Sequence, residues 1–334
     1  MSQHASMKRI PLPELADLCT SAVIGAGGSL RTAHALAAAT IGAEQRGHPE
    51  VGAAHLPDYL AALEEGRLNG HAEPAVRTPR PAIVLVDAQE GTAQLAFEAG
   101  VDALLAAART QGVAVLGIGH SFSAGELAHY THRVAENGLI ALAFANSSPL
   151  MAAHGATAAV TGTNPMAFAV PHPAGPRGFD QAASAAAWVR IRDAAQQGEP
   201  IPPAWALDAD GEPTTDPGAA LKGALLPFGG VKGSNIALMV ELLAVLAGGS
   251  FSIDAAPFDS GDRSPRLGLF VAAIDPEAFD PEYPARVESH LQRLAREHGA
   301  HFGRRKAAAA EATLTPDLYA RLTEAAARSR SAEP

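Results

Sequence analysis

Four short runs of small and polar residues stand at the mouths of apolar stretches, where a charged ligand could be held and acted on. Gly162-Thr163-Asn164-Pro165 opens the apolar run Met166–Val170 and offers a hydroxyl, an amide and backbone donors. His120-Ser121-Phe122-Ser123-Ala124 follows the apolar run Val113–Ile118 and precedes a predicted helix. A strand-to-helix turn of this kind can hold a phosphate through main-chain N–H groups and the helix N-terminus. Gly229-Gly230-Val231-Lys232-Gly233 also precedes a helix. Its glycines permit close approach, and Lys232 can meet a phosphate as a point charge. Asp180-Gln181-Ala182-Ala183-Ser184 completes the set. Each run also has a plainer reading. Thr163 can belong to an ordinary turn, Ser123 and Asp180 can be caps, and Lys232 can be a surface lysine.

The elements that must carry these turns are legible from apolar spacing and from glycine and proline punctuation. Helices are predicted over Pro11–Gly27, Arg31–Gly47, Leu56–Glu65, Ala93–Gln111, Ser123–Glu136, Ile236–Ala247 and Ala285–His298. Strands are predicted over Ala82–Val86, Val113–Ile118, Leu139–Ala145, Met166–Val170 and Leu267–Ile274. Helices thus sit at both ends, with strands and helices mixed between them. The pattern divides into a helical part (1–75), an α/β part (76–283), a second helical part (284–327) and a disordered tail (328–334). Gly25-Ala26-Gly27-Gly28 superficially suggests a dinucleotide-binding loop, but no strand precedes it and it ends a helix, so a Rossmann fold is not expected.

Bulk properties narrow the classes. The chain has 334 residues, a net charge of −10 and no basic patch, which argues against nucleic acid or an anionic membrane as partner. No apolar run reaches the roughly 18 residues of a membrane span, and MSQHASMKRI lacks an apolar signal core, so a cytoplasmic protein is expected. The single cysteine, Cys19, reads as a small buried apolar residue. No metal site is expected, since there is no HExxH and no paired cysteine. His71, His129, His132, His172, His290, His298 and His301 are expected in surface loops or on polar helix faces, and His154 near a pocket wall.

Taken together, AFANSSPLMAAHGATAAVTGTNPMAFAVP, WALDADGEPTTDP and LLPFGGVKGSNIALMVELL resemble the malate/L-lactate dehydrogenase-like oxidoreductases, and within them the Δ1-piperideine-2-carboxylate/Δ1-pyrroline-2-carboxylate reductases. The resemblance runs from about Leu15 to Phe302. It implies a non-Rossmann, mixed-sheet α/β domain packed with a helical domain built from both termini, a homodimer, and an NADP or NAD cofactor between the domains. It places Thr163 near the substrate, and His120, Ser121, Phe122, Ser123, Ala124, Asp180, Gln181, Ala182 and Lys232 at the cofactor. Arg304 and Arg305 fall near a C-terminal cofactor loop, where a basic run either holds the 2′-phosphate of NADP or is simply solvated.

The resemblance stops at the acid–base centre. The family begins it with Arg-Gly-x-x-Ser-His-Gly and a substrate-binding Arg; here the segment reads Arg46-Gly47-His48-Pro49-Glu50-Val51-Gly52-Ala53-Ala54-His55. Glu50 takes the Ser position, Val51 the His position and His55 the Arg position. The relay Asp falls on Arg190, and a pocket His on Trp188. Val51 cannot move a proton. Three explanations stand: a site rebuilt for another substrate, chemistry outside the family's reductions, or a cofactor-binding protein that has lost catalysis. The first makes Glu50 or His55 the proton donor, Arg190 a bidentate carboxylate binder, and His48, Thr163 and Trp188 substrate contacts. The expected activity is reduction of a small 2-imino, 2-oxo or 2-hydroxy acid couple, with a cyclic imino acid foremost.

Overall fold

The structure is a computed structural model and describes residues 7–303 and 308–330. Its centre is a seven-stranded sheet in the order β2 (Ala75–Arg80), β3 (Ile83–Asp87), β4 (Val113–Ser121), β12 (Leu267–Ile274), β5 (Ile140–Ala145), β8 (Met166–Val170) and β9 (Arg177–Gln181). Only β3 and β4 pair in parallel; the other pairings are antiparallel. The α/β, mixed-sheet expectation therefore holds. A four-stranded sheet combines β10 (Ala206–Leu207), β11 (Ala224–Leu225), β6 (Met151–Ala152) and β7 (Ala159–Thr161), and β1 (Lys8–Pro11) pairs with β13 (Glu311–Leu314).

Ten helices are described: α1 (Leu12–Gly25), α2 (Leu30–Arg46), α3 (Leu56–Glu64), α4 (Ala93–Gln111), α5 (Ala128–Glu136), α6 (Trp188–Gln197), α7 (Pro217–Ala220), α8 (Val231–Ala244), α9 (Tyr283–His298) and α10 (Pro316–Arg330). Local chemistry sets their ends. Ser29 caps α2 by accepting from Thr32 N–H at 3.2 Å, and Gly47 stops it in the left-handed region at φ 79°. Thr92 caps α4 in the same way.

The two largest cores follow from this layout. In one, β3, β4, β5 and β12 bury Val84, Leu116, Ile118 and Val271 against Phe97, Leu104 and Tyr130 of α4 and α5. In the other, α1, α2, α3 and α10 bury Leu15, Val23, Leu36, Leu56 and Leu322, with Phe122 inserted from the end of β4. Gly25 belongs to this second core: a Cβ there would lie 1.9 Å from the Ala325 carbonyl oxygen of α10. The glycine-rich run at Gly25–Gly28 thus admits a neighbouring helix and ends its own.

The structure differs from the sequence reading in several places. The helix expected over Ser123–Glu136 begins only at Ala128. Gly125 has φ +62°, and the Ala124 carbonyl accepts from Tyr130 Oη and Gln94 Nε2 and so is not available to a helical turn. At the C-terminal end, α10 continues through Arg330 where a tail was expected from residue 328, and Arg328 pairs with Glu64 of α3. Residues 331–334 lie outside the described residues. Finally, His129 is not on a polar face. It packs edge-on against Phe97 and Tyr130, and burial pushes its imidazole down to about 4. Among the described residues no helix is long and apolar enough to cross a membrane.

Candidate active site

A cavity of about 420 Å³ opens where the helical core meets the edge of the large sheet. Its first wall is the turn after α2. Gly47 ends the helix, and the chain passes through a 3-10 turn, Pro49–Val51. Glu44, buried inside α2, accepts from Ala53 N–H at 2.9 Å and holds the turn down. His48, Glu50, Val51 and His55 consequently face the cavity.

The second wall is the irregular Ser123–Leu127 stretch, whose failure to become helix leaves Glu126 pointing back at α2. His48 Nδ1 donates to Glu126 Oε1 at 2.7 Å, and Arg46 Nε donates to Glu126 Oε2 at 2.9 Å. Burial alone would raise the Glu126 carboxyl, but the hydrogen bonds and charges of His48 and Arg46 prevail and hold it at about 2. In return Glu126 raises His48 above its ordinary value; Glu50 and Asp180 act in the same direction, against partial desolvation.

Asp180, at the end of β9, forms part of the floor. Its Oδ2 accepts from Ala128 N–H at 2.9 Å, at the N-terminus of α5. Burial and the neighbouring Glu126 nonetheless push its carboxyl up to about 6, despite the opposing Ala128 and Leu127 N–H groups and His48. A second histidine–carboxylate pair lies across the cavity, where His55 Nδ1 donates to Asp58 Oδ2 at 2.9 Å. Burial would raise Asp58, but His55, Arg192 and Arg321 bring it below its ordinary value.

The remaining predicted residues divide clearly. Thr163, Trp188, Ser123, Ala124, Gln181 and Ala182 line the cavity. Asn164 beside Thr163 is buried at φ 37°, with Nδ2 donating to the Ala237 carbonyl and to Glu241, so it anchors the turn. Ser121 is buried, with Oγ donating to the Leu267 carbonyl, and Phe122 packs against Tyr59 in the helical core. His120 turns the other way, to Asp87 at 3.2 Å. Those three therefore build the turn and lie outside the cavity lining. Lys232 is exposed at the start of α8, away from that lining. Arg304 and Arg305 lie outside the described residues.

Arg190 needs correction. In α6, Trp188, Val189 and Arg192 line the cavity, while Arg190 is exposed and absent from the lining. At about 100° per residue, positions 188 and 192 share a face and 190 lies on the opposite one. The arginine at the cavity is Arg192. The i, i+4 spacing from Trp188 was the signal for it. Glu126 and Asp58 were also missed.

The sequence pattern of Malate/L-lactate dehydrogenase matches residues 10–314. The chain belongs to the malate/L-lactate dehydrogenase family. It is an oxidoreductase that uses a nicotinamide cofactor. Among similar proteins, a Δ1-pyrroline-2-carboxylate reductase of Ancylobacter novellus is 42% identical over 275 residues, 81% of this chain and 80% of that protein. A (2R)-3-sulfolactate dehydrogenase (NADP(+)) of Chromohalobacter salexigens is 36% identical, over 87% of this chain and 88% of its own. The crystal structure of Δ1-piperideine-2-carboxylate reductase from Pseudomonas syringae superposes with a TM-score of 0.83 at 36% identity, covering 97% of this chain and 95% of that one. The cavity suits a family cofactor's flat carboxamide ring. Ala124, Ala145, Ala182 and Leu267 supply apolar wall, while Ser123, Thr163 and Gln181 supply a few polar groups around it.

Proposed function

We propose that this protein is an NAD(P)H-dependent reductase of a small 2-imino or 2-oxo acid, or the corresponding dehydrogenase, with a cyclic imino acid as the preferred substrate class. The observation that carries the choice is the charge of the cavity. Glu50, Asp58, Glu126 and Asp180 face it, and Arg192 is the arginine among its lining residues. Glu126 is already matched by His48 and Arg46, which leaves Glu50, Asp58 and Asp180 beside Arg192; three carboxylates near one guanidinium disfavour a second anionic group on the substrate and favour a readily protonated nitrogen. The names of the imino-acid reductases among its relatives support the same class.

The bound cofactor supplies a hydride. The protein's part is to bind and orient. Arg192 takes the substrate carboxylate through its planar fork. Thr163 orients the substrate through its hydroxyl, and Trp188, Val51 and Phe258 pack on its ring and exclude water. Glu50, His55, His48 and Asp180 are the groups within the lining able to give or take a proton. NADP is the preferred cofactor in this reading, supported by the Arg304-Arg305 run and by the NADP(+) in the sulfolactate relative's name. A homodimer belongs to the same proposal. Leu238, Met239 and Leu242 of α8 are exposed, as are Leu246, Phe251 and Ile253 after it, and together they offer apolar surface for a second copy.

Fluorescence titration with NADPH and NADH, followed by cofactor oxidation with Δ1-piperideine-2-carboxylate, tests the proposal. Binding with turnover is expected, tighter for NADPH. Failure to bind either nucleotide would contradict it.

A further inference from the structure

We infer that His48, held by Glu126 and Arg46, is the proton donor of this site, replacing the family's relay rather than leaving the position empty. The inference rests on the reductase reading. Its basis is a chain of contacts that no other group in the cavity shares. The ring of His48 faces the cavity with Nδ1 committed to Glu126 at 2.7 Å, which leaves Nε2 to meet a ligand. The Glu126 side chain is only 5% exposed, and its second oxygen is taken by Arg46. A carboxylate fixed in this way by a second cation cannot swing to another partner, so it orients the imidazole and stabilises its charged form. His48 itself keeps contact with water, at 40% side-chain exposure, so it can be reprotonated between turnovers.

The groups that face His48 come from several elements. Arg46 lies at the end of α2, Glu50 in the following 3-10 turn, Glu126 ahead of α5 and Asp180 at the end of β9. Three are carboxylates, and all three favour the charged form of the imidazole. The proton balance is simple. A neutral imine gains a hydride at carbon and needs one proton at nitrogen. The Nε2–H bond of the imidazolium breaks, its electron pair stays on the ring, and the proton passes to the substrate nitrogen. For a 2-oxo acid the same proton goes to the carbonyl oxygen. Glu126 and Arg46 are positioning residues, acting through His48.

The test compares wild type, His48→Gln and Glu126→Gln as full-length protein, with NADPH and Δ1-pyrroline-2-carboxylate. His48→Gln should lower kcat about 100-fold with little change in KM. It should also remove the alkaline limb of the pH profile, since the donating form exists only below the His48 pKa. Glu126→Gln should keep activity at acid pH and move that limb to lower pH. Independently of turnover, the NMR titration midpoint of the His48 ring in the cofactor-free protein should fall in Glu126→Gln. An unchanged His48→Gln profile, or an unmoved midpoint, would overturn the inference alone. Wild type that fails to reduce any small imino or oxo acid would instead overturn the reductase reading, and this inference with it.

Discussion

The cavity holds two histidine–carboxylate pairs of nearly equal length, and their surroundings make them different devices. His48–Glu126 spans 2.7 Å and His55–Asp58 spans 2.9 Å. Glu126 is 5% exposed and doubly bound, by His48 and Arg46. Asp58 is 33% exposed and sits three residues from its histidine at the start of α3. The first pair joins elements about 80 positions apart in sequence and closes the junction of two cores. The second is local to one helix start, where His55 also packs edge-on against Tyr59 at 5.1 Å. A short contact does not by itself say which imidazole is built to hold charge; the burial and second partner of its carboxylate do.

Perturbations should respect that difference. The largest stability effect is expected from Arg46→Met, which leaves Glu126 buried with one partner fewer. Such breakage should cost about 3 kcal/mol, read from the urea midpoint. Acid should act next. The Glu126 carboxyl is depressed from 4.5 to about 2, so its contribution is complete above 4.5 and is lost as pH falls toward 2. Wild type should lose on the order of 2 kcal/mol more than Glu126→Gln over that window in pH-dependent denaturation. His48, being raised, contributes stability that is complete below its unfolded value of 6.5 and disappears as pH rises through the higher folded value. Asp180→Asn should act in the opposite sense. Its carboxyl is raised from 3.8 to about 6, so the ionised form burdens the fold above that pH. The variant should gain on the order of 1 kcal/mol at pH 7.5 by thermal melting. The smallest change belongs to the second pair: Asp58→Asn should shift stability by less than about 1 kcal/mol, as for a partly exposed pair. A cost as large as that of Arg46→Met would erase the distinction.

Much of the fold was legible in the sequence because its signals are local. Met166–Val170, Ala93–Gln111 and Leu267–Ile274 match the observed elements residue for residue. The helix stops at Gly27-Gly28 and Gly47 likewise fall where turn chemistry placed them. What was hidden is set by distant partners. The Ala124 carbonyl is captured by Tyr130 and by Gln94, thirty positions away, and this unwinds a predicted helical turn. That unwinding delivers Glu126 to Arg46 and His48. Motif reading brought Thr163, Trp188, Ser123 and Asp180 to the cavity, yet carried Ser121 and Phe122 along although their side chains face the core. Arg190 came from an ungapped register with the family's motif, which passes over the helical face that Trp188 and Arg192 share in α6.

The most direct measurement is the ratio of kcat/KM for NADPH oxidation with Δ1-pyrroline-2-carboxylate and with oxaloacetate, taken on the purified protein at pH 7. A cavity in which Glu50, Asp58 and Asp180 lie beside Arg192, with Glu126 matched by His48 and Arg46, should favour the imino acid by at least about 100-fold, equivalent to roughly 3 kcal/mol of differential binding. Equal or greater efficiency with the dianionic 2-oxo acid would contradict the account.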